Sequence, residues 1–392
     1  MTNPTAARRR ALWQLGFRPF FLAAGSFAAL AMLAWTGMWL GEWPRPALPP
    51  VQWHAHEMIY GYAFAVVAGF LLTAVRNWTG IPTPDGLPLA TLVASWLCAR
   101  VLLLMGPDWL LAAAAFDLVF GAALLLAVAR PVVRVRQWRQ SGIMAKLLLL
   151  VLANALFYAG ALGHAAEGMY YALYGGVFVL VALILTMAGR VMPGFIERGV
   201  RVPVSIHEPR WVSGATLLLF LGLFVAELFL HDRQAVAVCA LGLAIVTAVR
   251  LRAWHTPGLW REPLLWGLFL ALVAIEAGFV LYALAGWLPI PRTLALHAFA
   301  AGGIGLTTLA MMARVALGHT GRDIRQPPRS VGWALGLLLG SVVTRVGMPL
   351  LMPASYVVVI AVSQALWIAA FVVFVAAYAP ILLAPRVDGT AG

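Results

Sequence analysis

A short polar segment at the start of one apolar stretch carries the residues best suited to chemistry. This segment, WHAHEMIYG, contains His54, His56 and Glu57, and a further histidine, His297, lies inside a later apolar stretch. Neutral imidazole binds copper, iron and zinc, whereas the scarcity of carboxylates argues against a calcium or magnesium cage. If the fold brings these imidazoles together, they would hold a transition metal or a haem.

The spacing of the first two histidines leaves two arrangements open. On a regular α-helix His54 and His56 point in nearly opposite directions, so they would serve one ion only if the helix begins irregularly. In the regular case Met58 shares the face of His54 and Tyr60 that of His56. Imidazole with thioether favours copper(I), and imidazole alone suits an axial haem ligand. The alternative is that the pair belongs to an interfacial aromatic belt and that His297 bonds a carbonyl of a neighbouring helix.

Basic residues and one more histidine follow two other apolar stretches. The segment ARVALGHTGRD contains Arg314, His319 and Arg322, and AGRVMPGF contains Arg190 and Pro193, which we expect to end its helix. The arginines would pair with the carboxylates of a bound cofactor, such as haem propionates, and His319 would ligate a second metal. The alternative is that the arginines complement helix dipoles and that GHTG is an ordinary turn.

The elements that must position these residues are membrane helices. Of the residues, 63% are apolar and only 10% are charged, and a hydrocarbon core of about 30 Å requires about 20 apolar residues per helix. The runs are continuously apolar rather than alternating, which favours helices over a barrel. The predicted spans lie at residues 19–41, 54–75, 87–105, 109–130, 143–163, 170–188, 211–230, 235–253, 263–286, 292–314, 329–350 and 355–384. The sequence therefore predicts an all-α, polytopic membrane bundle that forms one membrane domain, 1–392, without a soluble domain.

The positively charged residues indicate the orientation. With the N-terminus inside, all but five of the 27 Lys and Arg residues fall on the cytoplasmic side, as the positive-inside rule requires. Both termini, including a basic tail at residues 1–18, are then cytoplasmic. Because the basic residues lie between spans and form no recognised motif, the predicted partner is the lipid bilayer and not nucleic acid. The five exceptions are Arg45, Arg100, Arg233, Arg292 and Arg345.

Other polar residues lie at membrane depth, where they are costly unless they are paired or functional. They would form either the proton or ion relay of a transporter or interhelical ion pairs that lock packing. An outer histidine and an inner arginine occur in both the second and the tenth predicted spans, but their spacings differ, so the pattern only hints at a repeat. The residues concerned are Asp117, Asn154, Glu227, Glu276, Arg345 and Gln364.

Five segments of the chain resemble the NnrS family. They are FRPFFL at 17–22, WHAHEMIYGYAFAVVAGFLLTAVRNWTG at 53–80, GRVMPGF at 189–195, HAFAAGGIGL at 297–306 and ARVALGHTGR at 313–322. The resemblance covers almost the whole length and implies a bacterial inner-membrane protein that contains haem and copper. It further implies an association with denitrification and with tolerance of nitric oxide and nitrosative stress. No established turnover reaction follows from it, so whether the protein is an enzyme stays open, as does its oligomeric state.

The resemblance strengthens a set of candidate site residues. Our hypothesis is a metalloprotein that binds nitric oxide or a dinitrosyl iron species at reduced haem or copper. His56 and His297 are the preferred axial ligands, while His54 with Met58 favours copper. Glu57 would support these ligands. The further candidates are His319 as a metal ligand and Arg190, Arg314 and Arg322 as supports. A transporter of a metal, haem or small metabolite, and an accessory protein of a respiratory complex, are the alternatives.

Overall fold

The computed structural model describes residues 11–41 and 46–389, and within these ranges it contains helices and no strand. Twelve helices are long and apolar enough to cross a membrane, which confirms the predicted fold class. Residues 1–10 of the predicted basic tail, and Arg45, lie outside the described residues. The helices are α1 Phe17–Leu40, α2 Pro50–Thr79, α3 Gly86–Leu104, α4 Pro107–Arg134, α5 Trp138–Ala161, α6 Gly168–Gly199, α7 Trp211–Leu230, α8 Arg233–Trp254, α9 Pro263–Trp287, α10 Arg292–His319, α11 Arg329–Leu351 and α12 Pro353–Leu383.

One predicted helix end is wrong. We expected Pro193 to end the sixth span, but α6 continues through this proline to Gly199. A proline removes one backbone hydrogen bond and disturbs the preceding turn, and a membrane helix tolerates that local loss because neighbouring groups compensate for it. Arg190 therefore lies within α6 and does not end it.

The helices group into two compact units. Unit 1 contains residues 1–176, 312–330 and 371–392, and unit 2 contains residues 177–311 and 331–370. In unit 1, α2 packs against α1 and α4, α3 packs against α4, and α4 packs against α5. In unit 2, α8 packs against both α7 and α9, and α9 packs against α10. Each unit thus has its own set of packed helices.

Glycine permits the closest helix contacts in each unit. A Cβ at Gly69 of α2 would lie 2.9 Å from the Phe20 and Phe21 side chains of α1, and a Cβ at Gly278 of α9 would lie 2.3 Å from the Phe299 ring of α10. Small residues let membrane helices approach until aromatic side chains fill the contact.

Helices α2 and α10 share one irregularity. In each, an α-helical start ends at a histidine, His56 or His297, and a π-helical segment follows, at Glu57–Ala63 and Ala298–Gly305. Such segments are rare in proteins, and many of those that occur lie at functional sites.

The two helices also end alike. Each closes with a Thr-Gly pair whose glycine, Gly80 or Gly321, has a positive φ of 71° or 76°. The interval from His56 to Gly80 equals that from His297 to Gly321. Our sequence comparison, which used the arginine positions, missed this equal spacing. The equal spacing supports a repeat more strongly than the shared histidine and arginine did.

Candidate functional site

The ring of His56 lies fully buried at the junction of the α-helical and π-helical parts of α2. Its Nδ1 lies 2.9 Å from Oε1 of Glu57, the next residue along the chain, and its Nε2 lies 3.0 Å from Oδ1 of Asn154 in α5. The Tyr60 and Phe157 rings pack against the imidazole at centroid distances of 5.2 and 4.3 Å. Both ring nitrogens of His56 are therefore engaged by oxygen atoms.

Arg100 of α3 joins this histidine to two carboxylates. Its Nη1 donates to Oε1 of Glu57 at 2.9 Å, and its Nη2 lies 2.5 Å from Oδ2 of Asp117 in an ion-pair contact. The same Oδ2 accepts hydrogen bonds from Nδ2 of Asn154 at 3.1 Å and from the hydroxyl of Tyr158 at 3.0 Å. None of the six residues is more than 2% exposed. The buried charge cluster consists of His56, Glu57, Arg100, Asp117, Asn154 and Tyr158.

The hydrogen bonds determine the number of protons in this cluster. Because Nδ2 of Asn154 donates to Asp117, Oδ1 of the same amide must accept a hydrogen bond from Nε2–H of His56. A neutral imidazole has only one N–H, so the contact between Nδ1 and Glu57 needs a second proton, on the ring or on the carboxyl group. In either case the negative charges of the two acids are balanced by the positive charges of one arginine and this extra proton. The cluster is then neutral overall, which is the form that burial at membrane depth favours.

A glycine makes room for the arginine. A Cβ at Gly61, within the π-helical segment, would lie 2.9 Å from Nη1 of Arg100 and 2.6 Å from the Phe27 ring. The Gly61 carbonyl also accepts a hydrogen bond from the Trp96 indole at 2.9 Å. The absence of a side chain at this position therefore allows α3 to bring its guanidinium against Glu57.

His54 occupies a different environment from His56. Its ring stacks on Trp35 of α1, with the centroids 4.5 Å apart and the planes inclined by 16°. The start of α2 is a regular α-helix, so the two histidines point to different faces, as we predicted for the regular case. Met58 is half-buried within the π-helical segment. This arrangement keeps His54 and His56 in separate sites.

The ring of His297 in α10 is held by a carbonyl of its own helix. Its Nδ1–H donates to the Thr293 carbonyl, one turn earlier in the same helix, at 2.7 Å. In a neutral ring this bond places the lone pair on Nε2, and metal-binding histidines are commonly held by such a bond from the other nitrogen. The carbonyl belongs to the same helix, whereas the alternative we considered placed it on a neighbouring one. The half-buried ring therefore fits the role of a haem or copper ligand.

His56 fits that role less well. Ligation through either nitrogen would require one of its hydrogen bonds, to Glu57 or to Asn154, to break. Within residues 11–41 and 46–389 no group of three or more His, Cys, Asp and Glu side chains is placed to hold a metal ion. Ligation by His54, His56, His297 and His319 stays a prediction.

The predicted inner residues divide between the two units. Arg314, His319 and Arg322 belong to unit 1, and Arg190 belongs to unit 2. His319 is the last residue of α10, and its ring lies 5.6 Å from that of Phe17. The cofactor contacts predicted for the three arginines stay predictions.

Two of the intramembrane acids, Asp117 and Glu227, form ion pairs between helices. Asp117 pairs with Arg100, and in unit 2 Glu227 of α7 lies 3.1 Å from Nη1 of Arg292 at the start of α10. Sequence reasoning named the acids but missed Arg100 and Tyr158 as their partners. A signal was present, because Arg100 and Arg292 were among the five exceptions to the charge rule. Arg233, another exception, is held instead by the carbonyls of Ala285 and Leu288.

Comparison with known proteins identifies the family. A comparison with curated proteins finds no significant match. The family model described as NnrS protein matches residues 11–386, nearly the whole chain, and at the family level this match indicates a membrane protein of the nitric oxide response. The chain therefore belongs to the NnrS family.

Proposed function

We propose that the chain is a haem- and copper-containing protein of the bacterial inner membrane that helps cells tolerate nitric oxide and nitrosative stress during denitrification. Membership of the NnrS family supports the general role. Within the chain, the observation that carries the proposal is the bond from Nδ1–H of His297 to the Thr293 carbonyl. This bond orients a half-buried imidazole so that Nε2 is the ligating nitrogen.

The other candidates have defined tasks in this proposal. Reduced haem iron or copper, when bound, supplies the position at which nitric oxide or a dinitrosyl iron species binds. His297 would hold a haem, and His54 with Met58 would hold copper. His56 would be a haem ligand only if it releases Glu57 or Asn154. His319 would take a second metal, and the supports for propionate groups are Arg190, Arg314 and Arg322.

An absorption spectrum tests the assignment of His297. We would record the detergent-purified protein oxidised, reduced, and reduced with nitric oxide, and quantify iron and copper on the same sample. Replacement of His297 with Ala is expected to abolish the haem absorption band, because its ligating nitrogen is lost. His207→Ala, which changes an exposed loop histidine, is the matched control and should keep the band and its shift with nitric oxide.

The His56→Ala variant separates the two histidines. If haem is lost only in this variant and is retained in His297→Ala, His56 is the ligand and the present assignment is wrong. A wild-type protein that is folded but colourless and free of metal would overturn the metalloprotein proposal. Copurification of that colourless protein with a respiratory complex would instead favour the accessory role.

A transporter is the second candidate, and Glu276 favours it. This half-buried residue of α9 has one carboxylate oxygen that is buried and lacks a hydrogen-bond partner among the described residues. Intramembrane acids of this kind serve as proton or cation carriers. Asp117 is less suited, because Oδ2 already contacts Arg100, Asn154 and Tyr158.

Uptake into proteoliposomes tests the transporter. Accumulation of copper, iron or haem that is lost in Glu276→Gln and kept in Glu167→Gln, an exposed loop control, would support transport. No accumulation by the wild-type protein would exclude transport of these substrates.

A further inference from the structure

Arg18 joins the first helix to the last within unit 1. Its side chain is fully buried, and its Nη1 donates to the carbonyls of Leu382 at 2.9 Å and Ala384 at 2.6 Å. The last carbonyls of a helix have no partner within that helix. One nitrogen of Arg18 therefore caps the C-terminal end of α12.

The remaining donors of Arg18 are unused. Its Nε and Nη2 are buried and lack hydrogen-bond partners among the described residues. The same is true of Nη1 of Arg322, a residue that follows α10. Buried donors of a charged group destabilise the fold when they have no hydrogen-bond acceptor. Two guanidinium groups of unit 1 thus present buried N–H groups without an acceptor.

The surroundings add positive charge. The positive charges of Arg322 and Arg386 lie close enough to repel the charge of Arg18. Those of Arg18, Arg76 and Arg386 likewise disfavour a positive charge on His319.

A nearby carboxylate is already engaged. Asp388 accepts a hydrogen bond from Nε of Arg386 at 2.9 Å, and Nη1 of that arginine donates to the His319 carbonyl at 3.0 Å. A Cβ at Gly321 would lie 3.1 Å from Oδ2 of Asp388, so the turn itself packs on this ion pair. Asp388 is thus held by Arg386, and among the described residues no carboxylate forms an ion pair with Arg18 or Arg322.

We propose that Arg18 and Arg322, with His319 beside them, form a binding site for an oxyanion of the phosphate class. Arginine donors match phosphate oxygens in paired, charge-assisted hydrogen bonds. The site lies at the beginning of α1 and the ends of α10 and α12, which the predicted orientation places on the cytoplasmic side. Basic pockets between helix ends on that side bind anionic headgroups.

The phosphate could come from an anionic phospholipid or from solution. Arg322 and His319 are also the residues that we propose for a haem propionate and a second metal, so at these two residues the phosphate site is an alternative use. The test adds only phosphate or lipid, and its failure would leave the assignment of haem to His297 untouched.

The test measures thermal unfolding of the full chain. Detergent-purified protein is compared in inorganic phosphate and in chloride at equal ionic strength, and protein in nanodiscs of phosphatidylglycerol is compared with protein in phosphatidylcholine. We expect phosphate or phosphatidylglycerol to raise the melting temperature, because a ligand that binds only the folded state stabilises it. A rise in phosphate alone assigns the soluble anion, and a rise in phosphatidylglycerol alone assigns the lipid.

Arg322→Gln is the principal variant, because this side chain makes no contact with the α12 carbonyls that Arg18 caps. It should lose the rise in melting temperature and weaken the apparent affinity at least about tenfold, the effect of losing one charge-assisted bond. Arg325→Gln changes an exposed arginine three residues away and should behave as the wild type.

Arg18→Lys keeps the charge but has fewer donors, and it should weaken binding if it folds. The proposal is wrong if the wild-type protein gains no stability in either medium, or if Arg322→Gln gains as much as the wild type.

Discussion

The buried charge cluster lies at a depth where an isolated charge is costly. Each of its charged residues nevertheless contacts an opposite charge or a hydrogen-bonding partner, as Glu57, Asp117, Arg100 and His56 do. Arg100 contacts both acids, and the proton near His56 balances the remaining negative charge. A buried ion pair gains little over an apolar pair but loses much when one member is removed. The cluster therefore behaves as one unit, in which every member depends on the others.

Replacement of Arg100 with Met tests this dependence. The change leaves two acids with one proton between them in a buried site, and we expect it to lower the free energy of unfolding by about 3–5 kcal/mol. The measurement is thermal unfolding in detergent, with Arg252→Met, which changes an exposed arginine, as the control.

The double variant Arg100→Met with Asp117→Asn restores neutrality and should recover part of the lost stability, as a coupled pair requires. An unchanged melting temperature in Arg100→Met alone would contradict a cluster held together by charge.

The sequence predicted the members of this cluster better than their contacts. His56, Glu57, Asp117 and Asn154 stand out as polar residues in apolar runs, which composition alone reveals. Their convergence depends on which helices are neighbours, and the order of helices along the chain does not specify that. Arg100 appeared in the sequence only as an exception to the charge rule, and that rule does not identify its partners.

At the scale of the helix, the π-helical segment of α2 determines how the cluster is built. A π-helical turn holds more residues than an α-helical one, so the side chains beyond His56 shift around the axis. Gly61 lies in this segment, where it faces Arg100 and Phe27 at distances that only a glycine permits. In α10 a π-helical segment likewise follows His297, the residue that we propose as a metal ligand.

Replacement of Gly61 with Ala tests the tight contact. The added methyl group would displace Arg100 or Phe27, and overpacking of this kind costs about 1–3 kcal/mol. Gly214→Ala in α7 is the matched control, because a Cβ there meets nothing within 4 Å, and it should stabilise the helix by up to about 1 kcal/mol. Equal melting temperatures for the two variants would show that the space at Gly61 is not needed.

The positions of the twelve helices were predictable, but their irregularities were not. An apolar run that is long enough to cross the hydrocarbon core specifies a span. All twelve predicted spans have a counterpart among the described residues. The π-helical segments leave no mark in composition, and the continuation of α6 past Pro193 depends on packing around the proline.

At the scale of the whole chain, the polar sites agree with the predicted alternation of helix direction. The charge cluster takes residues from the beginning of α2 and α4 and from the end of α3 and α5. Helices that alternate in direction bring these ends to one side of the membrane. By the same rule, Arg18, Arg322 and Ala384 share the opposite side, which the arginine distribution predicts to be cytoplasmic.

Reporter fusions test this orientation. A fluorescent protein fused after the last residue should fluoresce, because it stays in the cytoplasm, and alkaline phosphatase inserted at His164, between α5 and α6, should be active outside. A phosphatase inserted at Arg136, between α4 and α5, is the control and should be inactive. The reverse pattern would show that the positive-inside argument fails for this chain.

The composition of unit 1 constrains how the protein is made. The unit combines residues 1–176 with residues 312–330 and 371–392, so its first helices leave the ribosome long before their last partner does. Until α12 arrives, Arg18 lacks the Leu382 and Ala384 carbonyls it caps. The nascent chain must therefore hold its early helices in an unfinished state during synthesis, and a messenger truncated near its end would leave the beginning of the protein exposed to quality control.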